Sequence, residues 1–242
     1  MSTYHHRGGV KVDTANKTNT IKDTVYKQIL YMISTGEMTT DVIITENQMI
    51  KYFSASKAPV REALAQLCRE GVLVSLPRCG YKVLEISPQN IRDNTELRIL
   101  LELGSLSMVI KNMDSYMMGE IRALNEERWS LINTSRTVWA LWDNNVRFHL
   151  KLNSFSGNVQ VNHALQRALS TCTRAYAQLF AMQSAVMYPE STTPSRHDLI
   201  VSALEGQNLF DTHAYLKQDI LYLQQRLLSG AADKASARTP LY

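Results

Sequence analysis

No apolar run in this chain approaches the roughly eighteen residues that a membrane-crossing helix needs. The first residues also lack the apolar segment of a secretory signal, which sets the expectation of a cytoplasmic protein. Cysteine is scarce. Cys68, Cys79 and Cys172 stand far apart with no CxxC pair, and they fit reduced thiols better than a disulfide framework. No internal repeat is visible. A strong surplus of charge is missing too: 242 residues carry a formal net charge of +4. Between Lys22 and Glu85, eight Lys and Arg face seven Asp and Glu. That balance permits a nucleic-acid partner without demanding one, so basic residues that read DNA must act through position.

The chain does have apolar content, 45% of it, enough to bury one good core or two modest ones. Residues 1–20 are polar, with Gly8-Gly9, and read as a flexible tail; His5-His6 is too short for a metal tract. From Ile21 a helical period begins, with Val25, Ile29, Leu30 and Ile33 on one face and Gly36 as its stop. Thr45-Glu46-Asn47-Gln48 has the form of a capping box, opening a helix through Met49, Ile50 and Phe53. Ser54-Ala55 is the expected turn and Ser56 the expected cap of the next helix. Pro59 falls in that helix's first turn, where a missing N–H costs little. Val60, Ala63, Leu64 and Leu67 make its buried stripe. Val72-Leu73-Val74 and Tyr81-Lys82-Val83-Leu84 read as strands, joined by the tip Pro77-Arg78-Cys79-Gly80. Residues 21–86 are therefore expected to form a winged helix-turn-helix with a small β-hairpin wing.

A helix in the major groove offers its N-terminal side chains to base edges, while its flanks take phosphates. Lys57 and Arg61 are four residues apart, on the face opposite the apolar stripe. Arg61 suits a bidentate pair to guanine, and Lys57 suits phosphate or guanine. Arg78 at the wing tip suits an adjacent, A/T-rich minor groove, and Gly80 would let the backbone pass close to phosphate. Each cation alone also fits a solvated helix face, with Arg61 beside Glu62. Their order along a capped helix, a turn, a basic helix and a basic wing favours the DNA reader.

Ser87-Pro88-Gln89 marks a linker, taken as 87–90. Beyond it the pattern is helical, with candidates at 89–111, 115–133, 136–156, 158–186, 193–205 and 208–229. The fold class is thus mainly α. An all-α antiparallel bundle of six or seven helices over 91–229 follows the winged module, and 230–242 is a polar, disordered tail.

Thr45-Glu46, Met49, Ser56 through Leu64, Glu70-Gly71 and Arg78-Cys79-Gly80-Tyr81 resemble the GntR family of bacterial transcription regulators. The usual helix there opens Ser-Arg-Thr-Pro-Val-Arg-Glu-Ala-Leu. This chain has Lys57 and Ala58 in place of Arg and Thr, and Asn47 where Arg is common. The resemblance implies a DNA-contact set of Thr45, Ser56, Lys57, Ala58, Pro59, Arg61, Arg78 and Gly80, with an operator preference of its own.

The helical part resembles the FCD type, the effector domain of the FadR-like branch. Leu97-Arg98, Glu102, Phe148-His149-Leu150, Ser156-Gly157-Asn158, His197 through Ile200, Ala203-Leu204 and Gly206 carry that likeness. In metal-binding domains of this type an Asp precedes a His by four residues, with two further His downstream. The matching places here hold Asn145, His149, His197 and Asp219. Two nitrogens and one or two oxygens suit Zn²⁺, Ni²⁺ or Mn²⁺, although an amide is a weak ligand. The alternative is a pair of hydrogen-bonded bundle histidines without metal. Arg98 is the expected clamp for a small carboxylate effector, with an ion pair to Glu102 as its structural alternative. Arg174 is a second clamp candidate. Trp139, Trp142, Tyr176 and Phe180 read as core or pocket wall, and His213 faces away from Asp219.

The expected protein is a cytoplasmic homodimeric regulator, in the commoner case a repressor, reading a palindromic double-stranded operator with half-sites about one helical turn apart. Two alternatives stand beside it: a regulator whose sensor domain serves only dimerisation, and a helical metal-dependent hydrolase using His149, His197 and Asp219.

Overall fold

The computed structural model describes residues 20–134, 138–180 and 195–237, and the chain divides into two compact units at Ile86/Ser87. In the first, α1 (Ile21–Ser34) opens on a capping box between Thr20 and Asp23. The strand β1 (Ile43–Ile44) runs into α2 (Glu46–Phe53), whose Thr45–Gln48 box forms as expected. Ser54 then takes a left-handed conformation, φ 48°, which turns the chain into α3 (Lys57–Arg69). A serine tolerates this poorly in general, but one residue there closes the helix-turn-helix without glycine.

Ser56 occupies the cap position of α3, yet its side chain makes no capping hydrogen bond. The third helical residue is Pro59, which has no N–H to offer that hydroxyl. The Oγ is left on an exposed residue.

The wing is β2 (Leu73–Leu76) and β3 (Gly80–Val83), antiparallel, with Leu73 opposite Val83 and Leu76 opposite Gly80. The sheet has a third strand that the expected hairpin omitted. β1 pairs with β3, Ile43 opposite Lys82 and Ile44 opposite Tyr81, giving the order β1-β3-β2. Two residues carry no alternation by which a strand can be recognised. Val25, Ile29 and Ile33 from α1, Met49 and Phe53 from α2, and Val60, Leu64 and Leu67 from α3 close one core over Ile44, Leu73 and Val83.

The second unit holds α4 (Pro88–Asn112), α5 (Ser115–Thr134), α6 (Val138–Ser154), α7 (Val159–Phe180), α8 (Arg196–Glu205) and α9 (Leu209–Ala237). Two expectations are corrected here. The segment 87–90 is not a linker but the first turn of α4: Ser87 caps it, Pro88 sits where the missing N–H is harmless, and Asn90 completes the box. The segment from 230 is not disordered throughout, since α9 continues to Ala237; Ala231, Ala232, Ala235 and Ala237 are strong helix formers. The tail 1–19 with His5-His6, the expected helix residues 181–186 and residues 238–242 lie outside the described residues.

Leu106 and Val109 of α4, Ile121 of α5, Phe148 and Leu152 of α6, Ile200 and Leu204 of α8, and Leu216 and Ile220 of α9 form the bundle's core. α4 packs on α6, α7 and α9, so its inner face meets three helices at once.

The wing yields a direct expectation. Gly80 has φ 129°, and a Cβ there would run into the Ile44 carbonyl of β1. Gly80→Ala is expected to destabilise the first unit by about 1–3 kcal/mol, seen as faster amide exchange at Ile44 and Lys82. Gly71→Ala, with open space around the added carbon, is expected to lose less.

Candidate functional site

Two places deserve the name of a site, one in each unit. On the first, Lys57 and Arg61 stand one helical turn apart on the exposed face of α3. Arg61 is 68% exposed, and its Nε lies 3.5 Å from Glu46 Oε1 at the start of α2. Tyr81 of β3 donates its hydroxyl to the same oxygen at 3.0 Å. The neighbour of Arg61 is therefore Glu46, from across the helix-turn-helix, and not Glu62 next to it in sequence. The contact is exposed and weak as an ion pair.

At the wing tip, Cys79 N–H donates to Leu76 O at 3.0 Å, closing a turn with Pro77 and Arg78 in its middle. Arg78 has φ 62° and is exposed. That position in such a turn favours glycine or asparagine. The remaining residues of the expected DNA set have local duties. The Thr45 hydroxyl is engaged in the capping box. Ala58 and Pro59 lie in the first turn of α3, exposed and half-buried. Gly80 is required by the sheet itself.

In the second unit the helices bring His149 of α6, His197 of α8 and Asp219 of α9 together, with one ligand atom from each all within 4.8 Å of one another. Asn145 precedes His149 by one turn of α6 and is half-buried. Sequence reasoning offered Glu102 as an ion-pair partner of Arg98, as the structure shows, but missed its bond to His149. Glu102 of α4 receives Arg98 Nε on Oε1 at 2.8 Å and meets His149 Nδ1 through Oε2 at 2.6 Å. On the other side of the ring, His149 Nε2 meets Asp219 Oδ2 at 3.0 Å. The signal for Arg98–Glu102 was the four-residue spacing; nothing in the spacing linked α4 to His149.

The centre is nearly dry: Arg98 and His149 are fully buried, and Asp219 keeps 13% exposure. Burial is the largest influence on each group and opposes its charge. For Glu102 it is outweighed by Arg98 and then His149, so the carboxyl stays below its usual range. For His149 it is outweighed chiefly by Glu102, with Asp219 adding, so the imidazole is raised. Asp219 is likewise held low against burial by its bond from His149 and the nearby His197. His197 behaves differently. Burial pushes it down to about 3, Asp219 pulling the other way without prevailing. Its Nε2 is 3.9 Å from Asp219 Oδ2, and neither ring nitrogen has a hydrogen bond. Phe148 stacks on it at 4.0 Å.

Arg98 donates from Nε to Glu102, and its guanidinium also interacts with the buried Cys172 thiol, while Nη1 and Nη2 meet no acceptor in hydrogen-bond geometry among the described residues. Arg174 is buried on α7, donating from Nη2 to Thr171 Oγ1 at 3.3 Å. A further cation escaped the sequence reading. Arg196, next to His197, lies 3.5 Å over the Tyr222 ring with Nε 3.8 Å from Asp219 Oδ1. Trp142 and Tyr176 are core, stacked at 4.6 Å; the side chains of Trp139 and Phe180 lie outside the described residues. His213 is exposed on α9, away from the centre.

A capped helix pair with a three-stranded wing defines a winged helix-turn-helix, the class of DNA-binding modules. Residues 21–83 match the family described as bacterial regulatory proteins, gntR family. The first unit is thus similar to the DNA-binding part of that family. The chain is 31% identical over 109 residues to an HTH-type transcriptional regulator in an unstable DNA locus of Streptomyces ambofaciens, 45% of each protein. It therefore spans less than half of that relative. It is 23% identical over 239 residues to the HTH-type transcriptional regulator YcbG of Bacillus subtilis, covering 93% of this chain and 97% of the other. The solved structure of E. coli McbR/YncC shares the fold, with TM-score 0.72 at 17% identity, over 86% of this chain and 99% of that one. These likenesses are to transcription regulators, not to enzymes, and the hydrolase alternative is dropped. No helix among the described residues is long and apolar enough to cross a membrane.

Removing one member of a buried charge network leaves another uncompensated. Glu102→Ala is expected to lower the stability of the second unit by about 3–5 kcal/mol, read in urea unfolding, because both Arg98 and His149 lose their carboxylate.

Proposed function

We propose that this chain is a homodimeric transcription regulator, acting as a repressor, whose affinity for a palindromic operator is set by a small organic acid in an FCD-type sensor unit. The observation that carries the reading is the exposed basic set on a GntR-type module. Lys57 and Arg61 share the free face of α3, and Arg78 keeps a left-handed backbone at the wing tip. Such a conformation costs about 1–3 kcal/mol, and among the described residues Arg78 has no ion pair or hydrogen bond that needs it. A role outward, toward DNA, accounts for it.

The sensor half is supported by Arg98. A guanidinium fork whose two buried Nη groups meet no acceptor in hydrogen-bond geometry among the described residues is costly unless something accepts from it. A carboxylate fits it in a bidentate pair. The donor set also fits a divalent metal. His197 is neutral with both nitrogens free of hydrogen bonds, and Glu102 stands behind His149 as an orienting carboxylate. His149, His197 and Asp219 would hold Zn²⁺, Ni²⁺ or Mn²⁺, with Asn145 adding a weak fourth ligand. The metal would supply a positive centre for the acid's oxygens. Ligand binding then favours one of the protein's pre-existing arrangements and shifts DNA affinity with it.

A second reading has its own observation. Both nitrogens of His149 are already engaged, by Glu102 and Asp219, so the centre is largely satisfied by its own residues. In that case the unit serves dimerisation alone.

Gel-shift titration with the protein's own promoter region tests the reader: Arg61→Ala with Arg78→Ala is expected to weaken binding by about 10–100-fold. Unchanged binding would sink the assignment. For the sensor, elemental analysis is expected to find about one metal per chain, lost in His149→Ala and His197→Ala. Sugar acids or hydroxy acids are expected to raise the melting temperature of the wild type but not of Arg98→Lys, which keeps the charge and loses the fork. Absence of both signals favours the scaffold reading.

A further inference from the structure

α4 lies against three other helices, yet it leaves a coherent strip uncovered. Asp93, Leu97, Leu100, Gly104, Ser107 and Lys111 are all exposed. They follow one another at intervals of four, three, four, three and four, the spacing of a seam between paired helices. Leu100 is 72% exposed and Leu97 41%, with Met108 beside the seam at 39%. The opposite face of the same turns carries Arg98, Glu102, Ser105, Leu106 and Val109, all buried. A Cβ added at Gly104 meets nothing within 4 Å, so the space above it opens to solvent.

The composition of the strip indicates what covers it. Turned end for end on a copy of itself, Leu100 falls opposite Gly104, Leu97 opposite Ser107, and Asp93 opposite Lys111. Every large side chain meets a small one and every charge meets its opposite. Aligned in parallel, the same strip sets Leu100 on Leu100 and leaves a gap at Gly104. It also sets Asp93 against Asp93 and Lys111 against Lys111. An unrelated helix has no reason to satisfy both the size and the charge pattern, whereas a second copy does so through a two-fold axis. The missing side chain at Gly104 lets the two backbones approach, since interaxial distance follows the residues at the crossing.

We propose that two copies of this chain pair through α4, antiparallel, in the register that seats Leu100 over the partner copy's position 104. The proposal rests on the homodimer reading above and adds the surface and its direction.

Sedimentation velocity over a concentration series, using the full chain, tests it. Leu100→Glu is expected to raise the dimer dissociation constant at least about 30-fold, with helical circular dichroism unchanged. Asp93→Lys and Lys111→Asp are each expected to weaken the dimer about five-fold, and the double reversal is expected to restore it. That rescue is specific to the antiparallel register and does not depend on Leu100→Glu folding. A dimer untouched by Leu100→Glu, with no charge rescue, overturns the seam and leaves the homodimer reading standing. A wild-type chain that is monomeric at tens of micromolar, on the order of a weak interface, overturns both.

Discussion

The bundle depends on a single carboxylate. Glu102 stands where α4 faces α6, with one oxygen on Arg98 and the other on His149, and His149 passes the interaction on to Asp219 of α9. Apolar packing among Leu106, Phe148, Ile200 and Leu216 is non-directional and tolerates sliding. A buried chain of charges does not. Each member lacks water to fall back on, so the helices must present these groups within hydrogen-bond reach or bear the cost of desolvation. The arrangement also divides labour between two histidines. His149 is raised and saturated with partners, while His197 is held neutral under Phe148 with its nitrogens uncommitted.

The same four-residue repeat that puts Glu102 beside Arg98 puts Gly104 beside Leu100 on the reverse of the helix. One face of α4 is therefore fixed by electrostatics and the other by shape. A rotation of α4 that improved one face would degrade the other. The charged centre at Glu102 and the proposed pairing strip are properties of the same few turns.

Most of the helical architecture was legible in sequence because its signals are local. The Thr45–Gln48 box, the Val60/Leu64/Leu67 stripe and the Pro77–Gly80 tip each fit within a few residues. The misses came where a local signal has two meanings or none. Ser87-Pro88-Gln89 serves equally as a loop and as the start of a helix, and only Asn90 bonding back to Ser87 decides it. Ile43-Ile44 is too short to show a period and becomes a strand because β3 offers it an edge. Polar residues among the alanines beyond 229 masked a helix-forming composition. In the candidate site, the family resemblance pointed to His149, His197 and Asp219, and the fold brings the three together. Spacing could not find Glu102's second bond, nor Glu46 as the neighbour of Arg61. Those contacts join residues 47 and 15 positions apart, and only the folded chain brings them together.

The opening turn of α3 has no acidic residue, and Pro59 removes the N–H that Ser56 could have capped. Its remaining amide hydrogens and the positive end of the helix macrodipole are thus left facing water rather than being quenched from within. A module with almost no excess of formal charge still carries the partial positive potential of a helix end, at most about half a charge, beside Lys57. That potential comes from peptide groups, so it does not titrate, and replacing the surrounding lysines and arginines does not abolish it.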